Sequence, residues 1–293
     1  MRRNVIFIFI VLIAFVLVSC GSSVGFYDDN ERDTIVIGLE ADYAPYNWAM
    51  QEANEFTHPL YGRNDYAEGY DVQMAKIIAE GLGKKLVIKA IDWDGLVAAV
   101  KSGEIDLIIA GMTPTAEREK SLLFSEEYYR ADPVIVLRKD SSYANASSIN
   151  DFNNAKVVAQ LGTIYETLVG QINGAIPKDS LKDYNTLMLA IKNKDADIMI
   201  AELPVAIGMT NKDQSLTYIR FNENNGFNVE TKQVIVSIGM NLKNSALKVR
   251  IDEILSKISF EERDEIMNGA ILRQWFIWRY QKNMNFLKQL YIC

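Results

Sequence analysis

The sequence predicts an α/β protein of two lobes, each a mostly parallel sheet flanked by helices, with two crossings of the chain forming a hinge between them. Three observations carry this expectation. β-Rich runs alternate with helix-period segments from Thr34 to Ala110 in a β-α-β-α-β order, which implies a parallel sheet with ligands at the carboxyl ends of its strands. The same alternation restarts at Lys156. Finally, 293 residues with 49% hydrophobic and 24% charged side chains can fill two cores rather than one.

The first twenty residues stand apart from this scheme. A basic start (Arg2, Arg3) precedes an unbroken apolar run from Val5 to Val18 and then Ser19-Cys20-Gly21, which is the pattern of a secretory signal. The run is shorter than the ~17–25 residues of a spanning helix. Residues 1–19 are therefore expected as a signal peptide. The ending Leu17-Val18-Ser19-Cys20 is similar to the lipobox of bacterial lipoproteins, and this implies a diacylated Cys20 that tethers the mature protein to the outer face of the cell membrane. Residues 20–33, rich in Gly, Ser, Asp and Asn and without periodicity, then read as a lipidated, flexible tether.

Within the first lobe, Ile35 to Gly38 reads as a strand and Met50 to Glu68, which carries no period, as a surface loop. Asp71 to Gly83 has the punctuation of a helix. Asp71 is placed to cap it, Val72, Ala75, Ile78 and Leu82 share one face, and Gly83 stops it. Leu86 to Ala90 alternates as a strand, and Asp94 to Gly103 gives a short helix with Leu96, Val97 and Val100 inward. Asp106 to Ala110 is a short apolar run bounded by turn residues, which fits a strand covered on both faces.

The segment after that strand, Gly111 to Arg118, reads as a carboxylate cradle. Gly111 lets a small ligand approach the main chain, and Thr113 brings an amide and a hydroxyl. Pro114 and Thr115 open a short helical turn from which Arg118 can reach back over the strand end and grip a carboxylate bidentately. Taken alone, the stretch also fits an ordinary strand-to-helix turn with a surface arginine.

Ser121 to Arg130 leads into an extended run, Asp132 to Leu137, expected to carry the chain into the second lobe. There Lys156 to Gln160 reads as a strand, Thr163 to Gln171 and Asn185 to Asn193 as helices, and Ala196 to Ala201 as a strand. Lys232 to Met240 is the expected return crossing, followed by a helix from Asn244 to Ser259. The resulting division is 34–131 and 235–280 for lobe one, 132–234 for lobe two, and 281–293 for a C-terminal tail. Ile271 to Cys293 shows more aromatic surface than a solvated terminus usually does. A final helix packed on lobe one is the simplest expectation for it.

Composition closes other function classes. The formal charge of -7 becomes more negative once Arg2 and Arg3 leave with the signal, taking 31 basic residues to 29 against 38 acidic, so nucleic acid is not an expected partner. The two cysteines, Cys20 and Cys293, lie near opposite ends, leaving no disulfide framework and no metal-ligand spacing. No metal or other cofactor is expected.

Several separate stretches together resemble the solute-binding proteins of polar amino-acid ABC importers, bacterial solute-binding protein family 3. They are Gly38 through Trp48 with Tyr43-Ala44-Pro45-Tyr46, then Gly69-Tyr70-Asp71-Val72, the cradle through Arg118, Phe124-Ser125, Tyr128-Tyr129, and Gly162-Thr163. The resemblance covers roughly Thr34 to Met267, and it implies the type II periplasmic-binding-protein fold. Gln73 departs from it, where the family often has an acidic residue.

For the site, the resemblance implies that Arg118 pairs with the α-carboxylate of an amino acid, helped by Thr113 and the backbone of Gly111 and Met112. Lobe two would add Thr163 and Ile164 at a helix N-terminus, and Glu202 for the α-ammonium. The family more often has Asp at that last position. Tyr43 and Trp93 would flank the ligand, Glu40 or Asp42 would pair with a cationic or amide tip, and Gln160 is a further contact. That set favours Arg, Lys, His or Gln. The implied function is extracytoplasmic capture of such an amino acid by hinge closure and delivery, as a monomer, to an ABC permease with its ATPase.

Three rival readings remain open, of which a chemoreceptor or surface adhesin that kept only ligand binding differs in partner and not in site. A periplasmic-type enzyme on the same fold, such as a dehydratase, has little support: the only histidine, His58, lies in an expected surface loop, and no serine or cysteine stands in a nucleophile elbow. A truncated binding lobe of a binding-protein and permease fusion is the third, because Trp275 to Leu287 is similar to the stretch leading into the first membrane helix of related importers.

Overall fold

The computed structural model describes residues 32–222 and 224–290; the expected signal peptide, the Cys20 lipidation site and most of the tether lie outside them. Among the described residues no helix is long and apolar enough to cross a membrane.

Chain order is β1 (Thr34–Leu39), β2 (Asp42–Tyr43), β3 (Asn47–Met50), β4 (His58–Pro59), β5 (Tyr66–Glu68), α1 (Tyr70–Leu82), β6 (Lys85–Ala90), α2 (Leu96–Ser102), β7 (Leu107–Ile108), α3 (Ala116–Glu119) and β8 (Leu122–Arg130). After one crossing come β9 (Pro133–Arg138), β10 (Lys156–Val158), α4 (Ile164–Leu168), β11 (Ile176–Pro177), α5 (Tyr184–Lys192), β12 (Ile198–Glu202), α6 (Leu203–Lys212) and β13 (Leu216–Ile219). A second crossing leads to β14 (Ile235–Asn241), α7 (Ser245–Leu255) and α8 (Phe260–Leu290).

Two five-stranded sheets define two lobes. The first has the order β6-β1-β7-β14-β8 and the second β11-β10-β12-β9-β13. In each, four strands run one way and one the other: three pair in parallel, and β14 in the first sheet and β9 in the second pair antiparallel on both sides. The crossings lie side by side: Ala131, which follows β8, donates its amide to the carbonyl of Val234, which precedes β14, at 2.9 Å. Arg220, which follows β13, also donates to Asp132 of the first crossing at 2.5 Å, and two adjacent crossings joined in this way are the geometry of a hinge.

Local chemistry explains the elements. Val72, Ala75, Ile78 and Leu82 of α1 are buried as their period predicts, and Gly83 ends the helix in the left-handed region at φ 68°. Asp71 is not its cap. That carboxylate is fully buried inside lobe one, and the residue before the helix is Gly69, at φ 130°. Leu96 and Val100 of α2 point inward with Ala99, while Val97 is half-buried.

The expected loop from Met50 to Glu68 instead contributes β4, β5 and the end of β3 to a small sheet of order β2-β3-β5-β4, with turns and bends between them. Its strands are two to four residues long, too short to show alternation, yet Leu60, Ala67 and Glu68 are buried in it. Three elements of lobe two, β11, α6 and β13, are not among those expected from the sequence.

The C-terminal helix also differs from expectation. α8 runs unbroken from Phe260 to Leu290, with no boundary at residue 281, and packs on α6 of lobe two as well as α1 of lobe one. Gly208 on α6 permits the approach, since a Cβ there would stand 2.5 Å from the Gln274 side chain. Arg273 donates to the fully buried Glu68 at 2.7 Å and lies over the Phe56 ring.

Candidate functional site

Neighbouring parallel strands β1 and β7 end side by side, with Ile37 opposite Leu107, and each is followed by a left-handed turn. After β1 the turn is Glu40-Ala41-Asp42 with Ala41 at φ 62°, a conformation that costs a residue with a Cβ on the order of 1–2 kcal/mol. The Asn47 side-chain carbonyl holds it by accepting from the Ala41 amide at 2.7 Å. After β7 the turn is at Gly111, φ 60°. A Cβ there would meet the Tyr43 ring at 2.7 Å, so glycine serves both the angle and the close approach.

The turn at Gly111 differs from expectation in one respect. The Gly111 amide donates to the Tyr128 hydroxyl at 2.8 Å and so is not aimed at a ligand. The Met112 carbonyl accepts from the Ser237 amide of β14 at 2.9 Å, tying the turn to the return strand. Thr115 caps α3 by accepting from the Arg118 amide at 3.2 Å. Arg118 then reaches back as expected, donating Nη1 to the Thr113 carbonyl at 2.7 Å and Nη2 to the Gly162 carbonyl of lobe two at 2.8 Å. Its guanidinium stacks 4.9 Å from the Trp93 ring. Burial pushes its pKa down to about 10, and it forms no ion pair among the described residues.

Lobe two supplies the facing wall. Gln160 follows β10 and spans the cleft, donating Nε2 to the Lys182 carbonyl at 3.0 Å and to Glu40 at 3.4 Å. Thr163 stands before α4 and turns its hydroxyl back to the Gln160 carbonyl at 2.8 Å; Ile164 opens that helix. Glu202, the last residue of β12, is buried. Its carboxylate accepts from the hydroxyl of Tyr43, across the cleft, and from that of Tyr184 at 2.7 Å. Tyr165 lines the same pocket beside it. Burial raises the Glu202 pKa, and these hydroxyls pull the other way. A carboxylate has about four acceptor sites, so the two hydroxyls do not use all of them.

Two adjoining cavities result, sharing Glu40, Trp93 and Arg118 as a common wall. The inner one is about 10 Å³ and is lined by Tyr43, Gly111, Thr113, Gln160, Thr163, Ile164 and Glu202. The outer is about 240 Å³ and adds Asp42 and Met112. All twelve expected side chains thus line one chamber or the other. The aromatic pair does not sandwich the space, however. Tyr43 is itself stacked between Tyr46 at 4.8 Å and Tyr184 at 5.2 Å, and Trp93 carries Arg118.

The outer chamber is acidic. Glu40, Asp42, Asp92, Asp94 and Asp183 line it against Arg118 and Lys182. Glu40 is the most perturbed: burial and then repulsion from Asp42 raise its pKa to about 9, and its Oε2 is buried without a hydrogen-bond partner. Burial and the charges of Asp183 and Asp92 raise Asp42. Sequence reasoning missed Tyr165, Tyr184 and Asp183, and gave Gly162 no role of its own beyond the Gly162-Thr163 stretch. Asp183 carried the one local signal, as the cap of α5, accepting from the Thr186 amide at 2.8 Å.

A profile of the bacterial extracellular solute-binding proteins, family 3, matches residues 35–276. The chain is 30% identical over 218 residues to the arginine-binding extracellular protein ArtP of Bacillus subtilis, covering 74% of this chain and 79% of that protein. It is 29% identical over 187 residues to a probable histidine-binding protein of Campylobacter jejuni, covering 64% and 67%. Among solved structures, the amino acid ABC transporter substrate-binding protein AbpA of Streptococcus pneumoniae, bound to L-arginine, superposes with a TM-score of 0.69 at 27% identity, covering 83% of this chain and 96% of that one.

Proposed function

The chain belongs to the bacterial extracellular solute-binding proteins, family 3, and from that premise we propose that it captures a polar or basic L-amino acid in the cleft between its lobes. The ligands the cleft suits are Arg, Lys, His and Gln, with a cationic tip favoured. The observation that carries this is Glu40, whose Oε2 is buried and unpartnered in a chamber edged by four further carboxylates. Burying such a group is expensive unless a donor or cation meets it.

A zwitterion needs both its charges paired once water is excluded. Arg118 would take the α-carboxylate, beside Thr113. Glu202 would take the α-ammonium through an acceptor site its two tyrosine partners leave open, and Glu40 with Asp42 would meet the tip. Arg118 comes from one lobe and Glu202 from the other, so neither lobe suffices. The inner chamber holds about 10 Å³, roughly one water molecule, so the lobes must part to admit a ligand. Hinge rotation at the paired crossings then closes them on it.

The fold is the two-lobed type II periplasmic-binding-protein fold, and the protein acts as a binding protein, not an enzyme, in keeping with relatives named as binding proteins. The closed, loaded monomer would deliver its cargo to an ABC permease with its ATPase. A lipid on Cys20 would hold it at the membrane's outer face. A thermal-shift panel of the twenty amino acids tests the reading, because ligand at 100 times its dissociation constant adds about 2.7 kcal/mol. Stabilisation by one or more of Arg, Lys, His and Gln is expected; no shift with any of the twenty would overturn it.

A further inference from the structure

Beneath the cleft lies a buried carboxylate that the binding scheme does not use. Asp71, in the first turn of α1, is completely buried and touches no cation among the described residues. Its Oδ2 accepts from the Asn47 side-chain amide at 2.7 Å, and its Oδ1 from the Tyr128 hydroxyl at 2.7 Å. Each partner passes the contact on. Asn47 uses its own carbonyl to hold the Ala41 amide at 2.7 Å. Tyr128 uses its hydroxyl to hold the Gly111 amide at 2.8 Å.

Those two amides belong to the two left-handed turns that end β1 and β7. One turn presents Glu40 and Asp42, and the other begins the segment that carries Arg118. We propose that Asp71 is a positioning residue that fixes both turns relative to each other, and in particular holds Ala41 left-handed so that Glu40 faces the cleft. This deepens the amino-acid-binding reading and rests on it.

The hydrogen-bond directions make the role specific. An ionised carboxylate is an acceptor only, so with Asp at position 71 Asn47 must offer its NH2 and has its carbonyl free for Ala41. With Asn there instead, the Tyr128 bond can survive on the remaining oxygen, but two NH2 groups would face each other at position 47. Flipping Asn47 to relieve that clash withdraws its carbonyl from Ala41. Ala41, which has a Cβ, then loses what holds it in a costly conformation.

The test compares L-arginine with L-citrulline, which shares its carboxylate and ammonium but ends in a neutral urea. In the full chain, Asp71→Asn should weaken arginine about fivefold to tenfold more than citrulline, the scale of one displaced charged contact. Two second-site changes should restore the ratio. Asn47→Asp combined with Asp71→Asn reverses only the bond between the two side chains and leaves Ala41 and Tyr128 their acceptors, and Ala41→Gly removes the Cβ penalty of the left-handed turn. A role in stability alone would move the unfolding midpoint and leave the ratio of affinities unchanged.

Equal losses for both ligands, or no recovery in the Ala41→Gly background, would overturn the proposal. Should Asp71→Asn not fold, Asn47→Ala removes the same link to Ala41 without touching Asp71 and is read the same way. A parent protein that binds neither ligand would instead contradict the functional reading, so the two failures are distinguishable.

Discussion

Arg118 and Gly162 meet across the cleft, the guanidinium Nη2 donating to the Gly162 carbonyl at 2.8 Å. The same guanidinium donates to the Thr113 carbonyl on its own side and rests on Trp93, so it is pre-aimed with few rotamers left to lose. Preorganised, weakly hydrated and planar, it suits a carboxylate better than an ammonium would.

Arg118→Ala should therefore reduce amino-acid affinity by about 3 kcal/mol, near the upper end for a charge-assisted hydrogen bond, or more than a hundredfold. Arg118→Lys should recover part of this. Because α3 is one turn on the surface, the unfolding midpoint without ligand should stay nearly constant. Isothermal titration beside urea unfolding separates the two effects.

A pH dependence is expected from Glu40, raised to about 9 from an ordinary 4.5. Between those values the unfolded chain has lost a proton that the folded protein keeps, so stability falls as pH rises through that window and is fullest below it. Asp71, raised by burial to about 7, adds to the fall in the same direction over the lower part. Glu40→Gln should flatten the part above pH 7 in urea unfolding measured from pH 5 to 9.

A cationic ligand should reverse the preference of Glu40, favouring the carboxylate. Arginine binding at pH 7 should then release up to about one proton, and affinity should climb with pH toward 9. Calorimetry in two buffers of different ionisation heat counts the proton. Equal heats in both would remove Glu40 from the ligand's tip.

Arg273→Ala isolates a different part of the molecule. It leaves Glu68, completely buried, without its cation, and breaking such a pair costs about 3–5 kcal/mol. Stability should drop by that order while the affinity for ligand, measured well below the new unfolding midpoint, changes little.

Gly69→Ala should be severe for a reason visible only in three dimensions. At φ 130° the backbone suits glycine, and a Cβ would stand 2.2 Å from the Tyr46 carbonyl. Strain and overpacking together predict a loss of about 3 kcal/mol or more, read as a lowered denaturation midpoint.

How much of the fold and site was legible in the sequence depended on whether local pattern or tertiary contact decided each feature. Helix α1 and the strands β1 and β6 are dictated by period and punctuation, and Gly111 was readable as a turn needing freedom. The direction of its amide was not, because Tyr128, seventeen residues on, claims it. Strands of two or three residues between Met50 and Glu68 leave no alternation to read. Tyr184 bonds Glu202 and Tyr165 lines the pocket beside it from a separate element, and nothing in either neighbourhood distinguishes them from core tyrosines. The stretches that carried the family resemblance divide in the same way. Arg118 and Thr113 line the cleft, whereas Asp71, Ser125 and Tyr128 work behind it, Ser125 by accepting from the Ile238 amide of β14 at 2.9 Å.

The most direct measurement is a crystal structure of the protein grown with L-arginine. The account predicts one molecule between the lobes, its carboxylate on Arg118, its ammonium on Glu202 and its guanidinium against Glu40. Arginine bound outside the cleft, or inside it with the two ends exchanged, would contradict the central claim.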